Sequence, residues 1–264
     1  DWYTELSYEA VSPSFRAPLG FVNRSAYREL SIHQAAIRHP SSSWISRIRP
    51  YLDGGRSWNF DGVRKEQWIR PGIVVQGIGQ TYMHVAAERI DERFRGTEFG
   101  GLWRIRGGLN TRPTRSLEAG LGGRLGAMIA RSGSVPRRGV GTELEGRAEL
   151  RFTRRLRAAF RIQYSELHAP EDGTRFFEGF ILRSRWEYQF TPDLSVRTIL
   201  EYDEFGGTYR FEPLLRYEPA PFTRIYVGSS HGFAGSGTAA TRSALPLQRQ
   251  AQDLFFKVQY GFRF

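Results

Sequence analysis

The 264-residue sequence contains no cysteine. A disulfide framework, a thiolate metal site and a cysteine nucleophile are therefore all excluded. Lysine is nearly absent as well. Lys65 and Lys257 are the only two, so the net charge of +11 comes almost wholly from arginine. A nucleic-acid interface would gather such residues on one patch or helix, whereas here they are scattered along the length, and no nucleic-acid partner is expected. Also missing is any run near the roughly 18 to 20 apolar residues that a membrane helix needs. Mean hydropathy is −0.47 and 25% of the residues are charged, as in an ordinary soluble protein. Those averages do not exclude membrane strands, which need only about 9 to 11 residues with every second one facing lipid. No targeting segment is visible, because Asp1-Trp2-Tyr3 already opens an alternating stretch. The chain is expected to be a mature form or the end of a longer one.

What the sequence does contain is alternation. From Leu254 onward, Leu254, Phe256, Val258, Tyr260, Phe262 and Phe264 share one face of an extended chain, and Phe255, Lys257, Gln259, Gly261 and Arg263 share the other. The same period recurs upstream. Leu144, Ala148, Leu150 and Phe152 oppose Glu143, Glu145, Arg147, Glu149 and Arg151. After the turn Thr153-Arg154-Arg155, Leu156, Phe160, Ile162 and Tyr164 oppose Arg157 and Arg161. Leu182, Trp186, Tyr188 and Phe190 oppose Arg183, Arg185 and Glu187; Leu194, Val196, Leu200 and Tyr202 oppose Arg197 and Glu201.

Periodicity alone cannot separate a soluble sandwich from a barrel turned inside out. Segment length can, since these stretches run to about 10 to 12 residues against a mean near 5 to 6 in soluble sheets. Aromatic residues, 14% of the chain, also recur at segment ends, where the two girdles of a membrane barrel would lie. The expected fold is an all-β, single-domain, transmembrane antiparallel up-and-down barrel over 1–264, with about fourteen strands and twelve or sixteen as alternatives. The expected spans are 1–11, 26–38, 43–56, 63–78, 81–94, 98–109, 116–130, 141–152, 156–166, 175–190, 194–204, 208–218, 224–231 and 252–264. Short connections alternate with longer ones and are assigned to the periplasm, an arrangement that also puts both termini there. Low hydropathy with long alternating strands points to the outer membrane of a Gram-negative cell.

Several stretches resemble a family of uncharacterised bacterial outer-membrane barrels. The first is Ser14-Phe15-Arg16-Ala17-Pro18-Leu19-Gly20-Phe21-Val22-Asn23-Arg24, which departs from the family at Pro18 or Leu19, where an Asp is usual. The others are Tyr188-Gln189-Phe190-Thr191-Pro192-Asp193-Leu194-Ser195-Val196-Arg197, then Leu215-Arg216-Tyr217-Glu218-Pro219-Ala220-Pro221, and Phe256-Lys257-Val258-Gln259-Tyr260. In that family the barrel commonly follows a periplasmic domain similar to carbohydrate-binding module family nine. The resemblance implies fold and location and brings no catalytic residues. The C-terminal segment likewise resembles the final strand of outer-membrane proteins, which the barrel-assembly machinery reads. It makes Phe256, Val258, Tyr260, Phe262 and Phe264 the expected assembly signal.

Function is sought on the charged face. By parity it carries Arg104, Arg106, Arg124, Arg147, Arg151, Arg157, Arg161, Arg183, Arg185, Arg197, Arg210, Arg216 and Lys257, interleaved with Glu118, Glu143, Glu145, Glu149, Glu187, Glu201 and Glu212. Charges this dense must be hydrated or paired, because an isolated buried charge is prohibitively costly. Two outcomes stay open: an interior stapled shut by Arg–Glu ladders, giving a membrane anchor or scaffold, and a narrow hydrated pore favouring small anions. A lipid hydrolase is the alternative of a different class, with Ser229 and His231 two apart on one strand face. A docking platform for a periplasmic or extracellular protein is another, with the Gly- and Ala-rich stretch 232–251 as its loop. His33, His39, His84, His168 and His231 lack metal-ligand spacing, so neither a metal nor a cofactor is expected. Outer-membrane lipid is the expected partner.

Overall fold

The computed structural model describes residues 1–16, 25–235 and 247–261, with the backbone alone for Leu247. The strands are β1 (Trp2–Val11), β2 (Tyr27–Ala36), β3 (Ile45–Trp58), β4 (Arg64–Gly77), β5 (Thr81–Phe94), β6 (Thr97–Thr114) and β7 (Leu117–Ala130). They continue as β8 (Arg137–Arg151), β9 (Leu156–His168), β10 (Arg175–Gln189), β11 (Leu194–Asp203), β12 (Thr208–Ala220), β13 (Thr223–Gly235) and β14 (Leu247–Tyr260). Each lies beside the next in sequence, so the chain forms one fourteen-stranded antiparallel meander. Among the described residues no pairing of β1 with β14 occurs.

Strands form because alternating, β-branched and aromatic segments are separated by turn residues. Two hairpins turn on adjacent residues that both have positive φ, Gly79-Gln80 (62° and 52°) and Arg95-Gly96 (48° and 84°). That backbone twist matches the twist of the flanking strands. Several strands run longer than the sequence pattern suggests, while β2 and β4 are shorter. β6 continues to Thr114 and β13 to Gly235, and β14 begins at Leu247. Gly232, expected in a loop, is a ladder member paired with Arg210, and within β6 Gly107 and Gly108 pair with Val85 and His84. A glycine keeps both backbone hydrogen-bonding groups, so missing side-chain pattern is not missing pairing.

The chain divides into two compact units. Unit 1 comprises residues 1–111, 122–143 and 166–177. Its apolar core has two parts. Ile90, Phe99, Leu102, Ala127 and Ile129 pack with Trp68 and Phe94, while Met128, Ala130 and Leu167 pack with Phe176 and Phe177. Unit 2 comprises residues 112–121, 144–165 and 178–264. It holds fewer fully buried side chains and more ring contacts. Trp186 stacks on Phe152 (6.0 Å, 5°) and meets Phe160 edge-on (5.4 Å), and Tyr202 stacks on Tyr209 (4.5 Å).

Large apolar side chains stand open in both units. Leu121 is 58% exposed, and Ile69, Val85, Ile162, Leu182 and Leu200 are all largely open. Glu88, by contrast, is 1% exposed. In unit 1 the charged stripe around Glu88 is therefore the more covered one, whereas in unit 2 arginines such as Arg157 and Arg161 are exposed on the charged face as well.

One close approach gives a stability test. A Cβ on Gly141 would lie 2.1 Å from the Glu166 carbonyl oxygen, a backbone atom that cannot swing away, whereas one on Gly122 meets nothing nearer than 3.7 Å. Gly141→Ala is expected to lower unfolding stability by about 2 kcal/mol or more, as overpacking does. Gly122→Ala is expected to stay within about 0.5 kcal/mol, as substitutions free of such contacts do. Denaturant titration followed by tryptophan fluorescence distinguishes the two, and equal costs would refute the close approach.

Candidate functional site

The charged face of unit 1 is a network with a buried hub. Glu88 on β5 is directly opposite Arg104 on β6, as Asp53 on β3 is opposite both His33 on β2 and Arg70 on β4. Arg104 Nε donates to Glu88 Oε2 at 2.6 Å and Arg106 Nη1 to Oε1 at 3.1 Å. Arg70 Nε lies 2.5 Å from Oε1 and its Nη1 3.8 Å from Asp53. Asp53 is bonded to His33 Nδ1, and His33 Nε2 shares a 2.9 Å hydrogen bond with the Tyr3 hydroxyl. One side chain from each of six successive strands is thereby linked in a row. A second pair, Arg124 with Glu143, is bidentate at 2.6 and 2.9 Å. The cavity beside it, about 470 Å³, is lined by three arginines and three glutamates, so its charges balance.

Unit 2 is different. Some pairs recur: Arg183 donates to Glu201 at 2.5 Å, Arg210 donates to the same carboxylate at 3.2 Å, and Arg161 lies 3.2 Å from Glu145. At the end where the β8–β9, β10–β11 and β12–β13 turns lie, the balance fails. A cavity of about 660 Å³ is lined by Arg151, Arg154, Arg155, Arg157, Arg197 and Arg216, with Glu187 as its one carboxylate. Arg157 Nε donates to Glu187 at 2.5 Å, and Arg185 is 3.4 Å from it. Among the described residues the other five arginines of the lining make no ion pair. Six guanidinium groups less one carboxylate leave five net positive charges. An adjoining cavity of about 450 Å³ carries Arg147, Arg161, Arg183, Arg185 and Arg197 against Glu118 and Glu149.

The turn that carries Arg154 and Arg155 is held by its own hydrogen bonds. Thr153 Oγ1 accepts from the backbone N–H of Arg155 (3.1 Å) and of Leu156 (2.9 Å). The Gln189 N–H donates to the Arg155 carbonyl at 2.9 Å. Thr191 repeats the device, accepting from Asp193 at 3.3 Å and Leu194 at 3.1 Å. A threonine hydroxyl can take the place of a backbone acceptor in such turns.

The expected charged-face residues thus fall into overlapping groups, with Arg183, Arg157 and Arg161 both ion-paired and lining a cavity. Arg104, Arg106 and Arg124 sit in the paired network, and Arg183 and Arg210 share Glu201. Arg147, Arg151, Arg157, Arg161, Arg185, Arg197 and Arg216 line the two cationic cavities. Lys257 is on β14, opposite Tyr226, and exposed. Sequence reasoning missed Glu88, Asp53, His33 and Arg70, and it read Arg154 and Arg155 only as a turn. Ser229 and His231 do come together, at 2.9 Å, with Phe211 stacked on the imidazole at 5.9 Å. No carboxylate orients that imidazole among the described residues, which leaves a dyad without the third group that fixes tautomer and geometry. Among the described residues no three metal-ligating side chains converge. Phe256, Val258 and Tyr260 share the exposed apolar face of β14, whereas Phe262 and Phe264 lie outside the described residues.

Comparison with protein families finds no family model that matches this chain, and comparison with curated proteins finds no match.

The hub makes a direct stability prediction. Glu88→Gln strips Arg70, Arg104 and Arg106 of their shared, buried counter-charge and is expected to cost about 3 kcal/mol, in the range for breaking a buried pair. Glu143→Gln, at a half-exposed pair, is expected to cost about 1 kcal/mol or less. Equal losses in denaturant unfolding would show that Glu88 is not the hub.

Proposed function

We propose that the chain is a β-barrel of the bacterial outer membrane whose arginine-lined interior passes or binds small anionic solutes. Closing the meander edge to edge satisfies the backbone groups of β1 and β14, which lipid would otherwise leave unpaired. The open apolar stripe then faces lipid and the charged stripe faces the interior. This reading puts the short turns, and the mouth of the cationic cavity, in the periplasm. Outer-membrane lipid and the barrel-assembly machinery are its partners, with β14 as the strand that the machinery reads. The observation that carries the anion reading is the cavity with six arginines and one glutamate. Unneutralised guanidinium groups in a recess raise the local concentration of anions and repel cations. No group of this chain is assigned a catalytic role.

A membrane anchor closed by its own side chains is the second reading. The buried Glu88 hub and the apolar cluster around Ile90 and Leu102 favour it, since both occupy part of the charged face of unit 1.

Planar-bilayer recordings under a potassium chloride gradient separate the two. The proposal expects steady current whose reversal potential lies toward that of chloride. Replacing Arg197 and Arg216 with glutamate is expected to remove or invert that selectivity. Cation selectivity in the unaltered protein would contradict the anion reading, and silence at every potential would favour the closed anchor.

A further inference from the structure

We infer that the arginine cavity at the short-turn end of unit 2 is a saturable site for a compact multivalent oxyanion, one bearing two adjacent phosphoryl groups. The inference rests on the anion reading above and adds to it a ligand class and a binding step.

Charge alone would be met by diffuse chloride. The geometry asks for more. Five guanidinium groups of the lining are without a carboxylate, and they come from β8, the 153–156 turn, β11 and β12. A guanidinium is a planar fork of donors that matches two oxygens of a phosphoryl group, a fit that a spherical ion cannot use. Five net charges also exceed what a single orthophosphate neutralises at neutral pH. A diphosphate spans two such forks and brings more of the charge required. The volume, about 660 Å³, is within the range of small-ligand sites and leaves room for hydration.

Two details indicate a site made ready beforehand. The turn bearing Arg154 and Arg155 is fixed by Thr153 and by the bond from Gln189, so little backbone entropy is lost when those side chains close on a ligand. The Nε–H of Arg216 is buried without an acceptor among the described residues. A buried donor lacking a partner is costly, and reorientation of this guanidinium onto a bound oxyanion removes that cost. Glu187 contributes selectivity. By holding Arg157 and standing near Arg185, it keeps one carboxylate beside the forks and penalises bulky polyanions that would crowd it.

The test uses the full chain in a neutral detergent, with calorimetry at constant ionic strength. Sodium diphosphate is expected to bind with one-to-one stoichiometry and at least about tenfold tighter than orthophosphate, since each additional charge-assisted contact contributes about that factor. The double variant R154Q/R155Q, which disturbs no ion pair among the described residues, is expected to weaken diphosphate binding at least about tenfold while thermal unfolding stays unchanged. R131Q, in the charge-balanced cavity of unit 1, is expected to bind as the parent does. Equal affinity for diphosphate and orthophosphate, or undiminished binding in R154Q/R155Q, would overturn the inference. Phosphatidylglycerol micelles are the competing source of phosphoryl groups: failure to displace diphosphate supports the soluble ligand, and displacement would overturn it in favour of a lipid headgroup. The failure is also separable from that of the conduit. Tight diphosphate binding in a protein that is silent in bilayers sinks the conduit alone, and anion-selective current without diphosphate preference sinks this site alone.

Discussion

A carboxylate that is almost wholly covered, surrounded by three guanidinium groups, can exist only where neighbouring strands bring counter-charge to its own face. Glu88 is that carboxylate, and Arg70, Arg104 and Arg106 are its partners. Removing two or more charges from water costs several kcal/mol per ion unless each is met by an opposite charge and by hydrogen bonds. The strict period of two along a strand meets this demand. It brings Asp53, Arg70, Glu88 and Arg104 to one side and leaves Ile69, Val85, Trp103 and Ile105 on the other. These four apolar residues are consequently left on the open face, an arrangement that water would oppose and hydrocarbon would favour.

The same rule is applied differently in the two units. In unit 1 arginine and glutamate are matched, even around its cavity, and a packed apolar cluster accompanies them. In unit 2 arginine exceeds glutamate, the carboxylates are shared between cations, and space remains. Glu201 holds both Arg183 and Arg210, and Glu187 stands beside both Arg157 and Arg185. Pairing therefore provides rigidity in one unit and, where it runs short, a surplus of positive potential in the other. On the proposed function, stability and anion binding come from the same residue types at different ratios.

Much of this was legible in the residues, and the gaps have physical causes. Strand positions in the second half of the chain could be read because Arg183, Arg185 and Glu187 alternate cleanly with Leu182, Trp186 and Tyr188. Glu88 was hidden because its strand does not alternate cleanly. Near the Arg95-Gly96 turn, Ile90 is buried on the charged side while Arg89 and Arg93 stand exposed on the other. Polarity there follows the local surroundings rather than a single stripe, and a parity count loses its sign. Arg154 and Arg155 escaped for another reason. Turn residues have no parity, so only the fixed geometry of the Thr153 turn shows that they border the same cavity as Arg197 and Arg216. The motifs similar to an outer-membrane family rest on the residues themselves, and part of the first lies outside the described region.

The central claim is that the apolar face meets lipid while the charged face meets water or its own counter-charges. Because the chain has no native cysteine, single cysteines can carry a spin label at adjoining positions: Arg161 and Ile162, Leu182 and Arg183, Leu200 and Glu201. In phospholipid vesicles, labels at 162, 182 and 200 are expected to be relaxed by oxygen and shielded from a water-soluble nickel chelate. Labels at 161, 183 and 201 are expected to show the opposite preference or shielding from both. Chelate access at 162, 182 and 200, with no alternation between neighbours, would contradict the account.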